Sequence, residues 1–201
     1  MPTVLRSVGQ VVVVDYDSEW PQLFESLSAS LAPALAGLAT SIEHVGSTAV
    51  PGLPAKPVVD IDVIAAERDV VEVIARLQTL GYEHLGDRGI PQREAFRRPS
   101  GSPPHHLYVC PSTSAALANH LVVRDHLRRH PSDAIAYGDL KRQLAVKFAH
   151  DIEGYVQAKT IFLVGILRQH GFTDASVRQI EQPNLRPSEA AQQANERQQR
   201  A

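Results

Sequence analysis

The eight-residue stretch over 58–65, Val-Val-Asp-Ile-Asp-Val-Ile-Ala, is strongly β-branched and alternates in polarity, which makes it a strand with two unlike faces. Val59, Ile61 and Val63 fall on one side, Asp60 and Asp62 on the other. A chain that contains it must build a sheet with one apolar face to bury. The other face must open to a cleft. The two aspartate Cα atoms of such a strand lie roughly 7 Å apart. Two carboxylates so placed can converge on hard divalent cations such as Mg²⁺. Upstream, the segment 51–57 carries Pro51, Pro54 and Pro57, which fix φ and remove donors, so it reads as a rigid loop. Before that loop, a short strand over 41–45 runs into the turn Gly46-Ser47-Thr48. Such a turn offers backbone N–H groups and a hydroxyl to phosphate. Turn and aspartate pair together point to metal-assisted chemistry on a nucleotide.

The elements around these motifs are mixed. Val11 to Val14 read as a strand, and Asp17 or Ser18 as the cap of a helix with Pro21 in its first turn. Trp20, Phe24, Leu27, Leu31 and Leu35 recur at helical spacing as one buried face. A helix over 68–80 ends at Gly81, and strands are predicted over 94–98 and 105–110. On the second of these, Leu107 and Val109 face the core, while His106, Tyr108 and Cys110 share the cleft side. Three helices follow over 114–130, 131–150 and 152–170. The expected class is α+β: a mixed sheet of about five strands with helices packed on one face, then a helical C-terminal part. One domain is expected over 1–172, with a strand-containing core over about 8–112. The polar tail over 173–201 is expected to be a loose helix or flexible.

Composition narrows the partners. With 201 residues, 43% hydrophobic, the chain can bury one ordinary core. A net charge of −2 argues against a long nucleic acid. The single cysteine, Cys110, excludes an internal disulfide and reads as a small buried hydrophobe. No apolar run approaches the ~18 residues of a membrane span, and the first residues lack a signal-peptide layout. A cytoplasmic protein is the expectation.

The segments Glu43-His44-Val45-Gly46-Ser47-Thr48-Ala49-Val50-Pro51-Gly52-Leu53 and Ala55-Lys56-Pro57-Val58-Val59-Asp60-Ile61-Asp62-Val63 resemble the signature of the GrpB family, also called UPF0157. The resemblance continues through His105-His106-Leu107-Tyr108-Val109, Leu140-Lys141 and Tyr155 to Lys159. It implies the polymerase-β-like fold of the nucleotidyltransferase superfamily, and a domain also found fused to dephospho-CoA kinases. It implies that Asp60 and Asp62 hold Mg²⁺ and that Gly46, Ser47 and Thr48 approach phosphate. The activity implied is transfer of a nucleoside monophosphate from an NTP co-substrate to a small acceptor.

Nucleotidyltransferases place a third carboxylate on a later strand. Here His106 takes that position, either as a general base or as a polar strand residue bonded to its neighbours. Imidazole suits Mn²⁺ or another divalent transition metal better than Mg²⁺. His44, two residues before Gly46, is expected on the same face, which makes a mixed site of His44, Asp60, Asp62 and His106 conceivable. Lys56, in the rigid loop, Lys141 and Lys159 are candidate cations for the triphosphate, the last two favoured because the resemblance to the family includes them; Arg93, Arg97, Arg98, Arg124, Arg128 and Lys147 are further candidates. Tyr108 could stack on a base, whereas Trp20 and Tyr155 read as core. Two other classes stay open: a non-catalytic nucleotide- or phosphate-binding module, and a metal-dependent hydrolase or phosphotransferase using a His/Asp site.

Overall fold

In the computed structural model, residues 10–181 are described. The strand that anchors the chain is β2 (Val59–Ala65). It pairs antiparallel with β1 (Ala39–Val45) and parallel with β5 (His105–Pro111). Strand β5 pairs with β4 (Glu94–Arg97), which pairs with β3 (Glu83–His84). The sheet order is β1-β2-β5-β4-β3. Val59, Ile61 and Val63 are fully buried with Leu107 and Val109. They meet Leu27, Leu31 and Leu35 of α1 (Trp20–Leu35) and Val73 and Leu77 of α2 (Val70–Thr79). Each such side chain contributes about 1.5–3 kcal/mol on burial. Trp20 belongs to this core, as expected.

The helical part is α3 (Ala115–Arg129), α4 (Pro131–Lys147) and α5 (Ile152–Gln169). Ser114 caps α3 by accepting from the Leu117 N–H, and Asp151 caps α5 by accepting from the Gly154 N–H at 2.9 Å. These helices pack around Leu53, Leu127, Tyr137 and Ile166, and α3 closes part of the carboxylate face through Ile64, Cys110 and Leu117. The cleft is therefore partly roofed. Helices α1 and α2 pack on the apolar face, as expected, and the helical C-terminal part that follows lies over the carboxylate face.

Three expectations change. The stretch 11–14 is not a strand: Val14 makes one bridge to Ala55, and Val11 fills a gap against Leu144 and Tyr155. β-branching suits those residues to packing as well as to pairing, and no neighbouring strand offers them a ladder. The fifth strand is the two-residue β3, too short to carry an alternation. The first helix is not capped by Asp17 or Ser18 in the ordinary way. Asp17 Oδ1 accepts from the Glu19 N–H at 2.9 Å, and Glu19 holds the cap position. Within the tail, expected to be a loose helix or flexible, residues 174–181 form α6 (Asp174–Glu181), which buries Val177; the tail beyond 181 lies outside the described residues.

His126 locks the helix junction. It is 2% exposed, with Nε2 bonded to Asp133 Oδ2 at 2.7 Å and Nδ1 to His170 Nε2 at 2.9 Å. His126→Ala is expected to cost about 2–3 kcal/mol, from a charge-assisted hydrogen bond and lost packing. A lowered urea midpoint at unchanged m-value would register it.

Candidate functional site

A cavity of 680 Å³ lies between the carboxylate face of the sheet and α3, α4 and α5. That volume suits a nucleotide-sized ligand. Gly46, Ser47 and Thr48 enter it from a single turn of 3-10 helix that follows β1. Asp60 and His106 rise from adjacent strands in register. Lys56 comes from the proline loop, Lys141 from α4 and Lys159 from α5. Eight of the residues singled out in the sequence thus meet around one space: Gly46, Ser47, Thr48, Lys56, Asp60, His106, Lys141 and Lys159.

Gly46 has φ 72° and ψ −170°, a backbone region that side chains avoid. The Asp60 carboxylate sits directly over it: a Cβ at 46 would lie 2.2 Å from Asp60 Oδ2. The glycine is needed here by the aspartate. Ser47 and Tyr137 both line the cavity.

Each aspartate is held by a histidine. His106 Nδ1 bonds Asp60 Oδ1 at 2.8 Å, and His120 Nδ1 bonds Asp62 Oδ2 at 2.7 Å. Burial alone would raise the Asp60 carboxyl; the bond and charge of His106, with Lys159 and His120 behind, hold it below its usual value. Burial would lower His120, but the charge and bond of Asp62 raise it. Asp62 itself is fully buried and does not line the cavity.

His120 escaped the sequence reading. Fifty-eight residues separate it from Asp62, and no short motif spans that distance. A trace does exist in α3, where Ala115, Ala116, Asn119, His120, Val123 and Leu127 share the cavity face at helical spacing. Asn119 and His120 break an otherwise apolar stripe.

His44 is not in the cavity, contrary to expectation. Strand β1 is antiparallel to β2 and pairs His44 with Ile61, so its side chain falls on the core face. There it stacks on Phe24 at 4.8 Å and bonds Thr48 Oγ1 through Nε2 at 3.0 Å. Burial lowers its pKa to about 4. The ring thus sits with Phe24 and Thr48, while the Asp60–His106 pair lies on the opposite face of the sheet.

The cations also divide. Arg124 bonds Glu43 and the His44 carbonyl, and Arg128 bonds the Ala49 carbonyl, so both brace β1 and the turn after it. Arg97 pairs with Glu83 on the surface, Arg98 donates to the Ser102 carbonyl, and Lys147 lies over Phe148. Arg93, by contrast, enters the cavity above Tyr108. That contact engages the face of Tyr108 on which a base was expected to stack. Lys141 is 2% exposed and donates to the Pro54 carbonyl; burial, with Lys159 and Arg142 nearby, lowers its pKa to about 6. Lys159 is also lowered by burial, against the pull of Asp60. Tyr155 is buried as expected, yet also lines the cavity. Cys110 is fully buried, and burial pushes its thiol up to about 12, far from a nucleophile.

Among the described residues no group of three or more His, Cys, Asp or Glu is placed to hold a metal. The donor set does suit a cation shared with a ligand. Asp60 and Asp62 each give one oxygen to a histidine, and the other oxygen of Asp62, Oδ1, is buried without a partner. Mg²⁺ commonly takes one or two carboxylates and completes its shell with substrate phosphates and water.

The family model described as GrpB protein matches residues 10–169. A UPF0157 protein of Pseudomonas aeruginosa is 38% identical over 165 residues, covering 79% of this chain and 66% of that protein. The UPF0157 protein YqkA of Bacillus subtilis is 32% identical over 152 residues, covering 75% of this chain and 44% of that protein. The matched stretch thus spans just under two thirds of the first relative and under half of the second. The crystal structure of the conserved protein GrpB from Enterococcus faecalis superposes with a TM-score of 0.70 at 30% identity, covering 79% of this chain and 99% of that one. No helix among the described residues is long and apolar enough to cross a membrane.

Proposed function

This chain belongs to the GrpB family, and from that premise we propose that its cavity is the site of a divalent-cation-dependent nucleotidyltransferase. A nucleoside monophosphate passes from an NTP to a hydroxyl of a small acceptor. The acceptor oxygen bonds the α-phosphorus, the bond to pyrophosphate breaks, and the hydroxyl proton leaves. One observation carries the reading: the Gly46–Ser47 turn, Asp60 and the three lysines converge on one nucleotide-sized space. The family signature supports it.

Asp60, the carboxylate that lines the cavity, is the residue that would hold the cation, Mg²⁺ or Mn²⁺, with the unpartnered Oδ1 of Asp62 buried behind it; when bound, the cation would neutralise triphosphate charge and acidify the acceptor hydroxyl. Lys56, Lys141 and Lys159 bind the triphosphate by charge. Ser47 adds a hydroxyl to the same space. His106, whose side chain is half exposed and oriented through Nδ1 by Asp60, takes the acceptor proton at Nε2. Catalysis rests mainly on positioning and charge neutralisation.

The test pairs binding with turnover. Thermal shift with each NTP and Mg²⁺ or Mn²⁺ reads binding, and pyrophosphate release with candidate hydroxyl acceptors reads transfer. Asp60→Asn is expected to keep the fold and lose at least a hundredfold in release, as expected for a preorganised charge at the reacting centre. If Asp60→Asn binds ATP with Mg²⁺ as tightly as the wild type, the site is misassigned. A second reading, a nucleotide-binding module without turnover, is favoured by the imidazole of His106 standing where a third acid would serve. Nucleotide binding without pyrophosphate release from any acceptor would establish that reading instead.

A further inference from the structure

We propose that the cavity contains a second anion subsite, built on Arg93, and that the acceptor carries a carboxylate or phosphate besides its reacting hydroxyl. This rests on the nucleotidyltransferase reading above. The sheet order separates two ends of the site. Gly46 and Ser47 follow β1, Asp60 stands on β2, His106 and Tyr108 on β5, and Arg93 immediately precedes β4. Asp60 lies between the turn and Arg93. The lysines serve the turn side. Lys56 lies in the loop between β1 and β2, Lys141 is tied to the Pro54 carbonyl of that loop, and the charge of Lys159 acts on Asp60. With three cations at the triphosphate, a fourth at the opposite end serves a different group.

Arg93 is built to receive that group. Its guanidinium lies 4.5 Å over the Tyr108 ring, which orients the planar fork. Its Nε is buried and has no hydrogen-bond partner among the described residues. A desolvated N–H with no acceptor is costly to leave unmade. Arg97, Arg124 and Arg142 are all ion-paired, whereas no carboxylate pairs with Arg93 among the described residues. Among the described residues Asp60 is the only carboxylate that lines the cavity. Asn119, on the facing helix α3, adds a neutral amide to the same space. A guanidinium fork binds carboxylate or phosphate through two parallel bonds, which fixes the orientation of the acceptor as well as its charge.

The experiment titrates a second anion into protein saturated with a non-hydrolysable ATP analogue and Mg²⁺, using inorganic phosphate in one arm and succinate in the other, by calorimetry. The wild type is expected to bind one of them, and the stronger arm identifies the acceptor's anionic group. Arg93→Gln should weaken that binding about tenfold or more, the worth of a charge-assisted hydrogen bond. Its affinity for the ATP analogue should stay within about twofold of wild type. Arg97→Gln, at a surface pair, should leave both unchanged. If no second anion binds, or if Arg93→Gln weakens the nucleotide as much as the anion, the subsite is refuted. The first titration stands alone: absence of nucleotide binding would sink the nucleotidyltransferase reading, while anion binding to the empty protein, lost in Arg93→Gln, would still sustain the Arg93 site.

Discussion

Gly46→Ala is expected to unfold the protein at lower denaturant by about 3–5 kcal/mol, as strain and clash sum, and to abolish nucleotide binding in whatever fraction remains folded. Two costs add. The φ of 72° with ψ of −170° lies in a region that is essentially reserved for glycine. The new methyl would also lie 2.2 Å from Asp60 Oδ2 and 2.9 Å from Asp60 Cγ. The carboxylate cannot yield cheaply. Its other oxygen is tied to His106, and its backbone is paired on both sides, to β1 and to β5. The clash must move either the Gly-Ser turn or the carboxylate, the two parts that have to face one ligand. A double-mutant cycle with Asp60→Gly separates the terms. Removing the carboxylate relieves the contact and leaves the strain, so the coupling between positions 46 and 60 should be about 1–3 kcal/mol. No coupling would mean that the turn relaxes away from Asp60, and that the close approach is not what requires glycine.

That contact also marks how far the sequence could be read. Period-2 alternation in β2 and β5 was enough to put Asp60, Asp62, His106 and Tyr108 on one face, because a buried apolar set opposite them pins the register. Gly46 reads from the sequence as the glycine of a turn after β1, but its tie to Asp60 depends on strand pairing, which one strand's sequence does not carry. His44 shows the same gap. Counting back from Gly46 assumed a regular strand through the turn, whereas antiparallel pairing with Ile61 turns the ring to the core. The turn itself breaks the count. His120 was beyond reach because a helix 58 residues downstream supplies it. Strand β3, two residues long, holds too little pattern to read. The charges were the least legible part. Lys141, Arg93, Arg124 and Arg128 look alike in sequence, and only packing separates a buried amine, a stacked guanidinium and two braces.

Lys141→Met is expected to make the protein more stable and less able to bind nucleotide. The amine would titrate near 10.5 in the unfolded chain and titrates near 6 in the folded one. Between those values the unfolded chain carries the extra proton, so unfolding free energy rises with pH from about 6 to about 10.5 and is flat in this group's contribution below 6. Lys159, also depressed by burial, acts in the same direction. At pH 7 the buried neutral amine costs on the order of 4 kcal/mol. Methionine removes that cost and leaves the Pro54 carbonyl without its donor, a loss of about 1–3 kcal/mol. The net gain is about 1–3 kcal/mol, a few degrees in Tm, and the slope of stability between pH 6 and 10 should flatten. Nucleotide affinity moves the other way. A triphosphate raises the Lys141 pKa, so binding takes up a proton and weakens as pH rises above about 6, by up to tenfold per unit. In Lys141→Met that pH dependence should diminish and affinity should fall about ten- to a hundredfold. Calorimetry of an ATP analogue in buffers of different ionisation enthalpy counts the proton directly. Uptake near zero in the wild type, or a variant that melts lower, would show that Lys141 is a structural prop for the Pro54 loop and not a charge held in reserve for the phosphates. The cost of keeping that amine buried is what the proposed site gives up in stability for function.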